Sequence, residues 1–182
     1  MTFRDATIRG DRLGGIPTPG LNTAVPFRVV TGPQDQHFSQ SSITRCVNEP
    51  FVVTDAYDRM GMRLSGPLLE LAGALSIPSE PIVRGSIQVS GDGIATVLLA
   101  DHQTTGGYPK IATVISCDID RLVQFRAGQS LRFAALSSQQ AITQSRAYAA
   151  DKAHYLEQIA VARGSLEQRL MRENLIHGCI FD

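Results

Sequence analysis

The chain has 182 residues, no net formal charge, 43% hydrophobic and 19% charged residues. That is enough for one domain with a buried core and an appended segment, since domains commonly run about 100 to 150 residues. The basic residues are scattered rather than blocked, which leaves no electrostatic footprint of a nucleic-acid or acidic-membrane binder and points to small molecules or proteins as partners.

In chain order, residues 1–26 hold Gly10, Gly14, Gly15, Pro17, Pro19, Gly20 and Pro26 with little periodicity. They predict an extended lead-in, too polar at residues 1–10 for a signal peptide. Pro26 to Val30 reads as a first strand closed by Gly32-Pro33, and Gln34 to Thr44 as a short helix or capped turn. Phe51 to Thr54 is the next strand. Alternation from Met60 through Leu64 puts Met60, Met62 and Leu64 on one strand face and Arg63 on the other. Arg59 and Arg63 suit an anion clamp, because a guanidinium offers a planar fork of donors; internal pairing with Asp58 or Asp55 is the alternative. Residues 68–84 form a proline-containing connection with no clear period.

Gly85 to Val89 and Ile94 to Ala100 flank Ser90-Gly91-Asp92-Gly93, a hairpin pattern in which the glycines supply positive φ. A polar loop follows, from Ala100 to Ile111, and then a β-branched run to Ile115. Asp118 to Val123 predicts a helical turn, and Leu131 to Ala135 a strand. From Ser137 proline vanishes and glycine becomes rare. Tyr155, Ile159, Ala162, Leu166 and Leu170 make one helical stripe, which Gly164 can kink, suited to packing on the domain or on a second copy. Short strands separated by turns predict a mainly-β barrel or sandwich with a C-terminal helical extension.

The loop between Ala100 and Ile111 concentrates the unusual chemistry. Gly106-Gly107 permits close backbone approach or positive φ, and Pro109 holds Tyr108 extended. Tyr108 and Lys110, two residues apart, project to the same side if the segment is strand-like. A phenol and an amine together bind a carboxylate or ureido oxygen, with Asp101 as acceptor or base. Asp101 and Lys110 closing the loop by pairing with each other is the plainer alternative. His102 has no ligand-spaced companion in His37, His154 or His177, so no metal is expected. Cys46, Cys117 and Cys179 are far apart and odd in number, as in a reducing cytosol, and no histidine is placed to activate Cys117. There is no Walker loop and no dinucleotide fingerprint.

The run Ala100-Asp101-His102-Gln103-Thr104-Thr105-Gly106-Gly107-Tyr108-Pro109-Lys110-Ile111-Ala112-Thr113-Val114 resembles the signature of the allophanate hydrolase subunit 2 family. These are also called urea amidolyase-related or biotin-dependent carboxyltransferase-like proteins and include the C-type subunit of 5-oxoprolinase. Gly32-Pro33-Gln34, Asp58-Arg59-Met60-Gly61, Arg63-Leu64, Gly66-Pro67, Ile87-Gln88-Val89, Gly91-Asp92-Gly93 and Leu131-Arg132-Phe133 support it in order and spacing. It covers roughly Arg28 to Ala141, the second half of the family domain, and finds no counterpart of the opening half in residues 1–27. Met62 stands where a tyrosine is usual and Ser65 where an acidic residue is usual; Ser90 and Ala127 replace common prolines.

The resemblance implies three parts: the lead-in at 1–27, a cyclophilin-like β-barrel at 28–137, and a helical extension at 138–182. It also implies a subunit or fragment, not self-sufficient, of a 5-oxoprolinase-like hydrolase or carboxyltransferase complex acting on a small ureido or lactam substrate, and the cysteine usage and polar residues 1–10 make a cytoplasmic location the expectation. Asp101, Tyr108 and Lys110 are then the catalytic candidates. Arg59, Arg63, Gln88, His102, Gln103, Thr104, Thr105, Gly106 and Gly107 are the candidates for substrate binding. The implied partners are a subunit 1 type protein and a separately encoded first half, and the helical stripe adds a second copy through the C-terminal helix. ATP or carboxybiotin would be handled by partner subunits, with no cofactor held directly. A non-catalytic regulatory module of the kinase-inhibitor antagonist type, or a degenerate remnant, is the other expectation, because one fold hosts several functions.

Overall fold

Alternating apolar and polar residues build the sheet, and the computed structural model describes this for residues 26–73 and 77–159. Two compact units divide the chain, residues 20–150 and residues 1–19 with 151–182. Every described strand lies in the first. Among the described residues the strands are β1 (Phe27–Thr31), β2 (Phe51–Tyr57), β3 (Gly61–Ser65), β4 (Glu80–Pro81), β5 (Ser86–Val89), β6 (Ala95–Leu98), β7 (Thr105–Gly106), β8 (Lys110–Val114), β9 (Ser130–Leu131) and β10 (Phe133–Ala135). The helices are α1 (Gln40–Asn48), α2 (Ser116–Leu122) and α3 (Ser138–Ile159). The lead-in to residue 25 and the helical stripe from Ala162 to Leu170, with Gly164, fall outside the described residues; of that stripe Tyr155 lies on α3, half-buried.

Eight strands form one sheet in the order β10-β1-β8-β5-β6-β3-β2-β9. Its two edges, β9 and β10, are separated in the chain by Arg132 alone, so one bent stretch supplies both edges and the sheet is a nearly closed barrel. The single strand expected over Leu131 to Ala135 is therefore split. The Arg132 carbonyl accepts from Phe27 N at 2.8 Å, and its guanidinium donates to the Asn48 carbonyl at 2.7 Å.

Period-two alternation sorts side chains between the barrel's interior and its outer face. Met62, Val97, Ile87 and Ala112 are successive register partners across β3, β6, β5 and β8, and each is at most 1% exposed. Phe27, Phe51, Leu64, Ile111, Leu122 and Phe133 belong to the same core. Met60 does not join Met62 and Leu64. It precedes β3 in a turn whose amides donate to Asp58 Oδ1 at 2.7 Å and 3.1 Å, and it is 46% exposed. In the β5–β6 turn only Gly93 of the two glycines takes positive φ, at 77°. Gly85 has φ 91°, and a Cβ there would stand 2.8 Å from the Val114 carbonyl, so its lack of a side chain lets β5 start against β8.

A buried ion cluster clamps β1 to α2. Asp118 accepts from the Arg28 amide at 2.8 Å and from the Arg28 guanidinium at 3.0 Å and 2.6 Å, with Arg121 3.5 Å away. Arg121 also lies over the Phe27 ring, 4.1 Å from its centroid, and donates to the Pro26 carbonyl at 3.0 Å. The Asp118 hydrogen bond holds the Arg28 guanidinium above its ordinary value, whereas burial pulls that of Arg121 down. Arg28 reaches α3 through Gln144 Oε1 at 2.7 Å, beside a small cluster of Ile115, Cys117 and Ala141. Cys46 and Cys117 are free and buried, and burial pushes the Cys46 thiol up to about 12; Cys179 lies outside the described residues.

Candidate functional site

One residue out of step with the core row, Arg63, Thr96 and Gln88 are register partners across β3, β6 and β5, and a register shift in the β5–β8 pairing brings Lys110, two residues from Ala112, opposite Gln88. Opposed residues of antiparallel strands share a face, so Arg63, Thr96 and Gln88 form one row on the barrel's outer side, and Lys110 continues it past the shift, its Nζ 3.9 Å from Glu80 of a ribbon outside the sheet. Arg63, Thr96 and Gln88 line a cleft of about 350 Å³ together with Ser90, His102, Gln103 and Tyr108. Met60, Gly61, Ile82 and Leu98 give it an apolar wall. Polar groups converging beside an apolar wall in a cleft of this volume suit a small-molecule site.

The fourth member of the row is covered. β4 and β7 form a two-stranded ribbon of their own, pairing Glu80 with Gly106 and Pro81 with Thr105. It is extended by hydrogen bonds from Ile82 N to the Thr104 carbonyl at 3.1 Å and from Ile77 N to the Gly107 carbonyl at 2.8 Å. Neither Gly106 nor Gly107 has positive φ. Their role is close approach: a Cβ on Gly106 would stand 2.7 Å from Gln88 Nε2, and one on Gly107 would stand 3.0 Å from the Ile77 carbonyl.

Next to Gly106 on this ribbon, Glu80 reaches Lys110. Lys110 is 2% exposed, and among the described residues its Nζ has no hydrogen-bond partner. Glu80 Oε2 is 3.9 Å away, too far for an N–H···O bond. The same oxygen accepts from Gln34 Nε2 at 2.5 Å, while Gln34 Oε1 accepts from the Lys110 amide at 3.0 Å. Gln34 follows the Gly32-Pro33 turn, where Gly32 has φ 87° and its amide donates to the Ile111 carbonyl at 2.9 Å. An ammonium removed from water costs several kcal/mol unless acceptors surround it. Lys110 thus keeps unused donors beside a ligand-sized cleft.

Both arginines are paired. Arg59 grips Asp101 through Nε at 2.6 Å and a second nitrogen at 3.0 Å, a bidentate pair beside the hydrogen bond from Asp101 N to the Arg59 carbonyl at 2.9 Å. Arg63 reaches Asp92 Oδ2 at 3.0 Å, and Asp92 is also held by the Ser90 hydroxyl. The Arg59 hydrogen bond holds the Asp101 carboxyl below the usual carboxylate range, and the Ser90 hydrogen bond does the same for Asp92. The pairing of Asp101 with Lys110 and that of the arginines with Asp58 or Asp55 are both replaced by these contacts. A group with a depressed folded pKa contributes above its unfolded pKa, and the contribution is lost as pH falls through the folded one. A carboxyl 13C titration should therefore place Asp101 below the ordinary value of about 3.9 and return it there in Arg59→Ala. An unmoved midpoint would mean that the pair does not persist in solution.

Of the sequence-predicted residues, the structure brings Arg63, Gln88, His102, Gln103 and Tyr108 together around the cleft. Lys110 is next in the row beneath the ribbon, and Thr104, Thr105, Gly106 and Gly107 supply the ribbon itself. Tyr108 and Lys110 do not behave as a strand pair. Tyr108 sits in a bend, 48% exposed, before β8 begins at Lys110, and Lys110 is buried. Arg59 and Asp101 form a separate exposed pair beyond the strand ends. Glu80, Ser90, Thr96 and Ile82 were missed. Gln34 was marked only through the Gly32-Pro33-Gln34 motif. No group of three or more His, Cys, Asp or Glu side chains among the described residues is placed to hold a metal. No described helix is long and apolar enough to cross a membrane.

Comparison with known proteins agrees with this architecture. The Kluyveromyces lactis urea carboxylase crystal structure matches with a TM-score of 0.67 over 76% of this chain and 13% of that one, at 20% identity, a likeness of fold. The C-type subunit of the Haemophilus influenzae 5-oxoprolinase is 39% identical over 141 residues, 78% of this chain and 44% of that protein. Its Escherichia coli namesake is 33% identical over 134 residues, 74% of this chain and 42% of that protein. The chain thus spans less than half the length of either relative. The family model for the carboxyltransferase domain, subdomain A and B, matches residues 9–135, and with these similarities the chain belongs to that family.

Proposed function

We propose that this chain is one wall of the substrate site in a multi-subunit enzyme of the 5-oxoprolinase or urea carboxyl-transfer type, acting on a small lactam or ureido substrate. The observation that carries this is the buried Lys110 ammonium without a hydrogen-bond partner among the described residues, one register step from the cleft lined by Gln88, Thr96 and Arg63. Gln88, Gln103 and Tyr108 supply donors and acceptors for an amide or ureido group, and Lys110 supplies positive charge for a carboxylate or for an oxyanion developing during bond cleavage. Asp101, locked by Arg59, orients the loop that bears His102 and Gln103. ATP or a carboxyl donor would be handled by a subunit 1 type partner, and a separately encoded first half would complete the pocket.

A regulatory binding module is the second reading, favoured by one observation: Arg63 at the cleft and Arg59 beyond it are already neutralised by aspartates of the same chain. Reconstitution separates the two. The chain is mixed with a subunit 1 type protein and a first-half chain, with ATP and 5-oxoproline in one arm and a carboxybiotin donor and urea in the other. Turnover that requires this chain in either arm supports the enzymatic reading. Complex formation with no chain-dependent turnover in both arms overturns it in favour of the module.

A further inference from the structure

The row along β3, β6, β5 and β8 runs from the open cleft to a covered end. At that end stand Lys110 Nζ with unused donors, Gln34 Nε2, and the Glu80 carboxylate, whose side chain is 52% exposed. Glu80 belongs to two masters: it is bonded to Gln34, yet it faces Lys110 from 3.9 Å without bonding it. Its strand has two residues, and the ribbon carrying it pairs only with itself, outside the eight-stranded sheet. Ile82, two residues along the same segment, already lines the cleft. Gln88, which lines the cleft, is the register partner of Lys110, so the end held by Lys110 and Glu80 is the cleft's next neighbour along the row.

We propose that Lys110 Nζ marks a buried carboxylate-binding position whose resident occupant is Glu80, and that a ligand carboxylate reaches Lys110 by displacing Glu80. This rests on the cleft being the substrate site and adds the residue that controls entry to its charged end. The exchange is between like groups. Glu80, half-exposed already, turns out to water, Gln34 Nε2 is released to donate to the incoming carboxylate, and the ammonium gains acceptors at bonding distance. Glu80 is a positioning residue in this scheme, acting through its hold on Lys110.

The composition of the chain makes this directly measurable, because Lys110 and Lys152 are its two lysines, and Lys152 is exposed. Acetic anhydride labelling followed by peptide mapping reads the ratio of Lys110 to Lys152 modification, with acetate as the carboxylate probe. Lys110 should be slow in the wild-type chain, and Glu80→Gln and Glu80→Ala should each raise the ratio by about tenfold, as expected for removing a local closure. Acetate should slow Lys110 labelling in both variants and far less in the wild type. Iodoacetamide labelling of the buried Cys46 monitors global opening and should stay unchanged. A ratio that does not rise, or a rise matched by Cys46 alkylation, overturns the proposal, as does a rise that acetate fails to slow. The labelling reads access alone, so an inactive reconstituted complex would defeat the functional reading and leave this result standing.

Discussion

Lys110→Met is expected to raise the melting temperature of the chain, by roughly 2 to 6 °C, because removing a buried charge with poor partners is neutral or stabilising by about 1 to 2 kcal/mol. Methionine fills nearly the same volume without an ammonium to desolvate. Glu80 is left behind half-exposed, so no second charge is stranded. Lys110→Ala should instead lower the melting temperature, since it leaves a cavity under the ribbon. Calorimetry of the two variants separates a group kept for function from one kept for folding. A loss of several degrees in Lys110→Met would make Lys110 structural and remove the observation on which the functional reading stands.

Asp118→Ala should do the opposite and cost about 3 kcal/mol, since it removes a buried carboxylate that accepts three hydrogen bonds from Arg28. Asp118 is 3% exposed and Arg121 is 7% exposed, and the carboxylate serves the backbone as well as both guanidiniums. Its loss unties Arg28 from α2 and weakens the Arg28 contact to Gln144 that reaches α3. The urea midpoint should fall markedly with little change in slope. A change below about 1 kcal/mol would assign the clamp to surface pairing of the ordinary kind.

The contrast between the lysine and aspartate sites marks what the sequence could disclose. Strands β1, β5, β6 and β8 and the β5–β6 hairpin follow from local alternation and turn residues, and so does the outward direction of Arg63. Of the cleft residues, His102, Gln103 and Tyr108 were legible because they fall in one motif, and Gln88 because it falls in the separate Ile87-Gln88-Val89 match. Glu80 was not, because a two-residue strand in a proline-containing connection has no period, and its pairing with Gly106 spans a long stretch of chain. The partner of Arg59 was equally hidden. Spacing offered Asp58 and Asp55 nearby, but the β3–β6 register delivers Asp101. Tyr108 and Lys110 were expected to share a side by strand alternation, and β8 begins only after the bend and Pro109 that separate them. The split of β9 from β10 at Arg132 reflects barrel closure, a demand of the whole sheet that no short window contains.

Whether Lys110 takes part in turnover is decided by comparing the reconstituted complex made with the wild-type chain and with Lys110→Met at equal folded concentration. A positioned cation facing developing negative charge contributes about 3 to 4 kcal/mol, so kcat should fall by roughly 100-fold or more while the variant remains folded and still joins the complex. Equal kcat for the two proteins would remove Lys110 from the chemistry, whatever the cleft binds.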